Sequence, residues 1–336
     1  MSILSAPARG LTWLGRQGTR ALAAMMVIGL VAPALDALFR PFVSEAIFLL
    51  LCIAFFRVDT ILLRGYIVRP ALPLAATAWT MLAVPVIFGL VCLAIGLRQK
   101  APDLFLGLMM QALAPPMMAA PAFAALMGLD VTLVLVTLVF SSIAAPFTAL
   151  VFASIFLGPA LALSPLMLGL KLFSILAGAA MLAAVIRRIV GPAAIARHRE
   201  EIDGINLIVV FVFVAAVMEH LAERLLAAPL AILALSALTF AIAFAVLGLT
   251  ALIFVRAGAE RALALGLMAS QRNMGLMLAA TGGALPDLAW LYFALSQFPI
   301  YLSPQLLQPV ARKLMTRPHT IPEPVQGPHS SHDQQR

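Results

Sequence analysis

Five stretches of the chain, residues 71–97, 104–129, 131–170, 225–255 and 288–311, contain no Asp, Glu, Lys or Arg. A helix needs roughly 20 apolar residues to cross the hydrocarbon core of a bilayer, so each stretch holds one span or two. Only 11% of the 336 residues are charged, against about a quarter in a soluble domain. Such a chain cannot clothe a water-facing surface. In lipid every backbone amide and carbonyl must be satisfied within the segment or across a closed barrel. The stretches are continuous in Leu, Ala, Val and Phe and lack the alternation of barrel strands. They predict helices.

The predicted spans are 21–38, 41–57, 71–97, 104–127, 131–157, 164–186, 204–220, 228–255, 262–284 and 288–311. Residues 1–19 read as a basic cytoplasmic arm with no cleavable leader. Residues 316–336 read as a polar, disordered cytoplasmic tail. With both termini cytoplasmic, sixteen of the 22 Lys and Arg fall on the inner side and four on the outer. That bias sets the orientation, and a bacterial inner membrane is the expected location. It also accounts for the net charge of +8 without nucleic acid. Cys52 and Cys92 lie inside apolar runs and read as small core residues, not as metal ligands or a disulfide.

Shifting the chain by about 158 residues lays the third, fourth and fifth spans on the eighth, ninth and tenth. The chain then divides into halves at 20–157 and 158–315. Five spans per half is an odd number, so the halves insert with opposite topology, as inverted repeats do in secondary transporters. The fourth span is interrupted by Pro115 and Pro116, which remove two amide donors and bar the preceding residue from helical geometry. The ninth is interrupted by Ser270-Gln271-Arg272-Asn273. Under the shift Pro115 falls on Asn273, and paired interruptions of this kind mark a binding site at the membrane centre.

Arg272 is the residue that most needs an explanation. A charge at mid-bilayer requires a partner or a wet cavity, and no carboxylate is predicted at that depth. Two roles are open: attracting an anionic ligand, or capping the free carbonyls of the broken fourth span. Pro115, Pro116, Ser270, Gln271, Arg272, Asn273 and Gln297 are the candidate substrate-binding residues. Lys171 is expected to reach outward to the interface. Motifs of membrane-embedded enzymes and of ATP-driven pumps are missing from the sequence, so an enzyme is not expected.

Ala112-Leu113-Ala114-Pro115-Pro116, Gly128-Leu129-Asp130-Val131, Ser141-Ser142-Ile143-Ala144-Ala145-Pro146 and Asn273-x-Gly275-Leu276 together resemble the bile acid:sodium symporter family. Gly29-Leu30-Val31-Ala32-Pro33 is similar to its first span. The resemblance implies ten spans, a panel and a core group of helices, and two broken helices crossing near the substrate. It also implies where sodium ligands should lie. Aligned on Asn273-x-Gly275, the family's glutamate falls at Met268 and its Gln at Arg272. The Ser-Asn pair of the fourth span falls near Ala120-Pro121. The expectation is therefore a transporter of a small organic anion that needs neither cofactor nor sodium, with Arg272 supplying a fixed charge where a cation would bind. The alternatives are a sodium-coupled symporter of the same fold, or a membrane sensor or enzyme.

Overall fold

The computed structural model describes residues 5–17, 21, 24, 27–29, 38–56, 70–158, 161, 163–218 and 220–315. These are mostly helical, with one isolated backbone bridge and no strand among the described residues. Most of the expected first span and the whole expected tail lie outside them. Among the described residues, five helices are long and apolar enough to cross a membrane: Ala71–Ala94, Val131–Leu157, Pro165–Val190, Arg199–Ala227 and Pro229–Ile253.

In chain order we label α1 Ser5–Gln17, α2 Val43–Phe56, α3 Ala71–Ala94, α4 Pro102–Leu113, α5 Ala120–Leu126, α6 Val131–Leu157 and α7 Pro165–Val190. There follow α8 Arg199–Val217, α9 Pro229–Ile253, α10 Ala259–Ser270, α11 Met274–Thr281 and α12 Asp287–Met315. The arm expected at residues 1–19 is thus largely a helix. The fourth and ninth expected spans are each two helices, α4 with α5 and α10 with α11. The seventh begins at Arg199, before the expected position. Glu200, Glu201 and Asp203 belong to its first turns, where acidic side chains suit the positive helix end.

The helices pack as two groups. In one, α2 packs on both α7 and α8, and α1 packs on α8. In the other, α3 packs on α6, α4 on α12, and α9 on both α10 and α12. Each group draws on both halves of the chain, so packing does not follow the sequence division at residue 157. The groups meet where α11 lies against α2 and α7, and where α6 packs on α7.

Local chemistry explains the ends. Asp130 caps α6 by accepting a hydrogen bond from the Leu133 amide at 2.9 Å, and Ser164 caps α7 through the Met167 amide at 3.2 Å. The contact of α1 with α8 is made backbone to backbone: a Cβ at Gly15 would strike the Glu200 carbonyl, and one at Gly204 the Leu11 carbonyl. Arg16 adds an exposed ion pair to Glu200 at 2.9 Å. Proline does not always break a span: Pro146 sits inside α6, and α12 runs through Pro299, Pro304 and Pro309.

Candidate functional site

The two interruptions meet. After Leu113 the chain turns extended at Ala114, with ψ of 140°, as a residue before proline must. The Met117 amide then donates to the Gln271 carbonyl at 2.7 Å, and the Asn273 amide donates to the Pro115 carbonyl at 2.8 Å. Pro116 and Arg272 face each other in an antiparallel bridge. Each broken segment thus supplies the backbone partners that the other lost, away from water, where unpaired groups are costly.

Arg272 sits at this crossing with 2% of its surface exposed. Its Nη1 donates to the Ala114 carbonyl at 3.0 Å, the free C-terminal end of α4. Its Nη2 donates to the Thr80 carbonyl at 3.1 Å. Thr80 lies in a π-helical turn, Trp79–Ala83. There the Val84 amide bonds the Trp79 carbonyl, and the next residue, Pro85, has no amide to offer. The Thr80 carbonyl is left over, and the guanidinium fork takes it. The capping role is therefore realised in the structure. None of the ion pairs among the described residues involves Arg272.

Between the two helix groups lies a cavity of about 860 Å³. Arg272, Asn273 and Gln297 line it, with Met117, Met118 and Ser142. The facing wall comes from α2 and α8, through Ile47, Leu51, Phe55, Asn206 and Val210. Arg187 at the end of α7 and Arg199 at the start of α8 line one end. Among the described lining residues there are three arginines and no Asp or Glu.

The first turn of α11 also reaches the cavity, through Asn273, Met274 and Gly275. Asn273 caps it: its Oδ1 accepts from the Leu276 amide at 3.0 Å. A helix start carries partial positive charge, which suits an anion. Gly275 permits the close approach of Phe213, whose ring would lie 3.2 Å from an added Cβ.

The other expected residues stand back from the cavity. Pro115 and Pro116 are buried in the crossing and act through their backbone. The Ser270 hydroxyl donates to the Leu267 carbonyl of its own helix at 2.8 Å. Gln271 is 1% exposed and its Oε1 accepts no hydrogen bond. Gln297 does line the cavity, with its Nε2 donating to the Phe293 carbonyl at 3.2 Å. Lys171 is exposed on α7 and is not a lining residue.

Two residues escaped the sequence reading. Gln111 accepts a hydrogen bond from the Tyr292 hydroxyl and ties α4 to α12. Asn206 lies in the cavity wall, and a single amide in an apolar run gave no signal beyond its own polarity. Comparison with protein-family models and with curated proteins gives no match. The fold itself defines the class: an all-α protein with several helices built to lie in a membrane.

Proposed function

We propose that the chain is a secondary active transporter of a small organic anion, working by alternating access of one helix group against the other. Ten spans in two inverted repeats, with both termini cytoplasmic in a bacterial inner membrane, form part of this reading. The pairing at the crossing supports the repeats: Arg272 and Ala114 lie 158 residues apart, the shift that lays one half on the other. The ion pairs support the order of the spans. Asp130 and Arg261 meet at 3.4 Å and Arg224 and Asp287 at 3.5 Å, each pair at ends assigned to the same side of the membrane.

The observation that carries the function is the cavity at the crossing, bordered by Arg187, Arg199 and Arg272 and by no described carboxylate. Positive charge in a low-dielectric cleft raises the local concentration of anions. Arg272 acts there as a cap and as a fixed charge at once. The capping carbonyls are neutral, so its charge remains to act on the cavity. The apolar walls suit the carbon body of an organic acid. Resemblance to bile acid:sodium symporters points the same way, while a resident guanidinium makes a sodium ion at this place unnecessary.

A thermal-shift screen tests the reading, because a ligand of the folded state raises the melting temperature. Detergent-purified protein is heated with organic anions, organic cations and neutral solutes, each with and without sodium. Carboxylates are expected to stabilise it in sodium-free buffer, and Asn273→Ala to weaken that effect. Stabilisation that requires sodium would favour the sodium-coupled symporter. Stabilisation by cations alone would contradict an anion site.

A further inference from the structure

Arg199, Ile202, Asn206, Val210 and Phe213 follow one another at helical spacing along a single face of α8, and all line the cavity. Arg199 stands at one end of the cavity. Asn206 stands seven residues further along, about 10 Å deeper at the rise of an α-helix. Its neighbours on the same face are aliphatic or aromatic. Its amide makes no hydrogen bond to a described residue. An amide in an apolar span is costly unless something pairs with it, and Asn206 faces a space where only water or a ligand can do so.

The opposite wall is unlike it. There Asn273 spends its oxygen on the Leu276 amide and keeps its NH₂ group, beside the Arg272 charge and the positive end of α11. The anion-favouring features of the deep cavity are thus gathered on the wall formed by α11 and α12. The wall formed by α2 and α8 offers one neutral group, Asn206, that can both donate and accept.

We propose that Asn206 is a specificity-determining residue, and that its amide hydrogen-bonds an uncharged oxygen of the organic anion, a hydroxyl or carbonyl set apart from the carboxylate. This rests on the organic-anion reading above and adds to it the ligand's second functional group. One molecule then bridges the two helix groups, its carboxylate toward Asn273 and its neutral oxygen toward Asn206. A ligand lacking that oxygen leaves the amide unpaired, which is how a hydrogen-bonding site rejects an analogue.

The test uses full-length protein in lipid nanodiscs and two probes, 4-phenylbutyrate and 4-hydroxy-4-phenylbutyrate. Binding is read by isothermal titration, and stability by melting temperature. The wild type is expected to bind the hydroxylated acid about tenfold more tightly, the worth of one hydrogen bond of ordinary strength. Asn206→Leu should bind the two acids equally, with affinity for the plain acid at least that of the wild type, since no amide is then left unpaired. Its melting temperature should not fall, because the amide has no protein partner to lose. Asn206→Gln should keep part of the preference. If Asn206→Leu keeps the tenfold preference, or melts lower than the wild type, the inference is overturned while the anion site stands. The same holds if the wild type does not distinguish the acids. If the wild type binds neither acid, the organic-anion reading falls together with the inference.

Discussion

Arg272 shows how one side chain can hold two sites together. Its fork joins the end of α4 to the π-helical turn of α3, through carbonyls that proline chemistry left unpaired. Arg272→Gln removes a charged donor and strands two buried carbonyls. We expect it to fold but to lose roughly 2–6 kcal/mol of stability, at about 1–3 kcal/mol for each stranded group, measured by chemical or thermal unfolding in detergent. Arg272→Lys keeps the charge but not the fork, since an ammonium is a compact point donor. Its stability should fall between the two. If Arg272→Gln melts with the wild type, the capping account is wrong. Asn273→Ala tests the neighbouring cap. It should cost about 1 kcal/mol, as loss of an N-cap does, and weaken carboxylate binding as well. Part of this was legible in the sequence. Arg272 stood out because a charge amid apolar residues demands a partner, and capping was one of two roles in view. The partner at Thr80 was not legible. Pro85 was visible, but a π-helical turn has no signature that distinguishes it from a kink. Ser270 misled for an ordinary reason: a serine in a helix often bonds a carbonyl of its own preceding turn.

At the scale of elements, both broken helices were readable, because two adjacent prolines and four consecutive polar residues each defeat a helix in lipid. Pro146 and the prolines of α12 did not break theirs. A lone proline leaves one carbonyl free, which a helix tolerates when neighbours or water satisfy it. The docking of α1 could not be foreseen, since glycines at positions 15 and 204 are unremarkable until two helices are brought together. That contact makes a prediction. Gly204→Val places side-chain atoms where the Leu11 carbonyl lies, so α1 should leave α8. Trypsin should then cut after Arg9 and Arg16 faster than in the wild type, with α2 to α12 still intact by mass. Unchanged cleavage would mean that α1 is held by something other than the glycine contact. The single Asn206, by contrast, was hidden by its surroundings. Only the placement of α8 against the cavity shows which face of the helix it occupies.

For the whole molecule, the cavity has Arg187 and Arg199 at one end, and Phe213 lines it further along α8. There Phe213 of α8 meets Phe293 of α12 with ring centres 6.1 Å apart, and Phe293 meets Trp290 at 6.2 Å. Beyond them Arg224 and Asp287 pair at 3.5 Å. Aromatic contacts of this kind are worth about 0.5–1.5 kcal/mol beyond their buried area, and an exposed ion pair about 1 kcal/mol or less. Under the proposed alternating access, such weak ties suit a closure on that side that opens in turn. Combining Phe293→Ala with Asp287→Asn should shift the population toward the state open on that side. A cysteine at Ser142, in a background with Cys52 and Cys92 replaced by Ser, would report it. Labelling by an impermeant maleimide should come only from the Arg199 side in the parent, and from both sides in the double variant. Labelling from the Arg199 side alone in both would remove these residues from the closure.

Transport itself is tested most directly by counterflow. Purified protein is placed in liposomes loaded with unlabelled carboxylate, and uptake of the same labelled carboxylate is followed in sodium-free buffer, across straight-chain and aryl acids. The account predicts exchange of carboxylates without sodium, weakened in Asn273→Ala and unaffected by amines or neutral solutes. Folded protein that exchanges no carboxylate, or does so only when sodium is present, would contradict it.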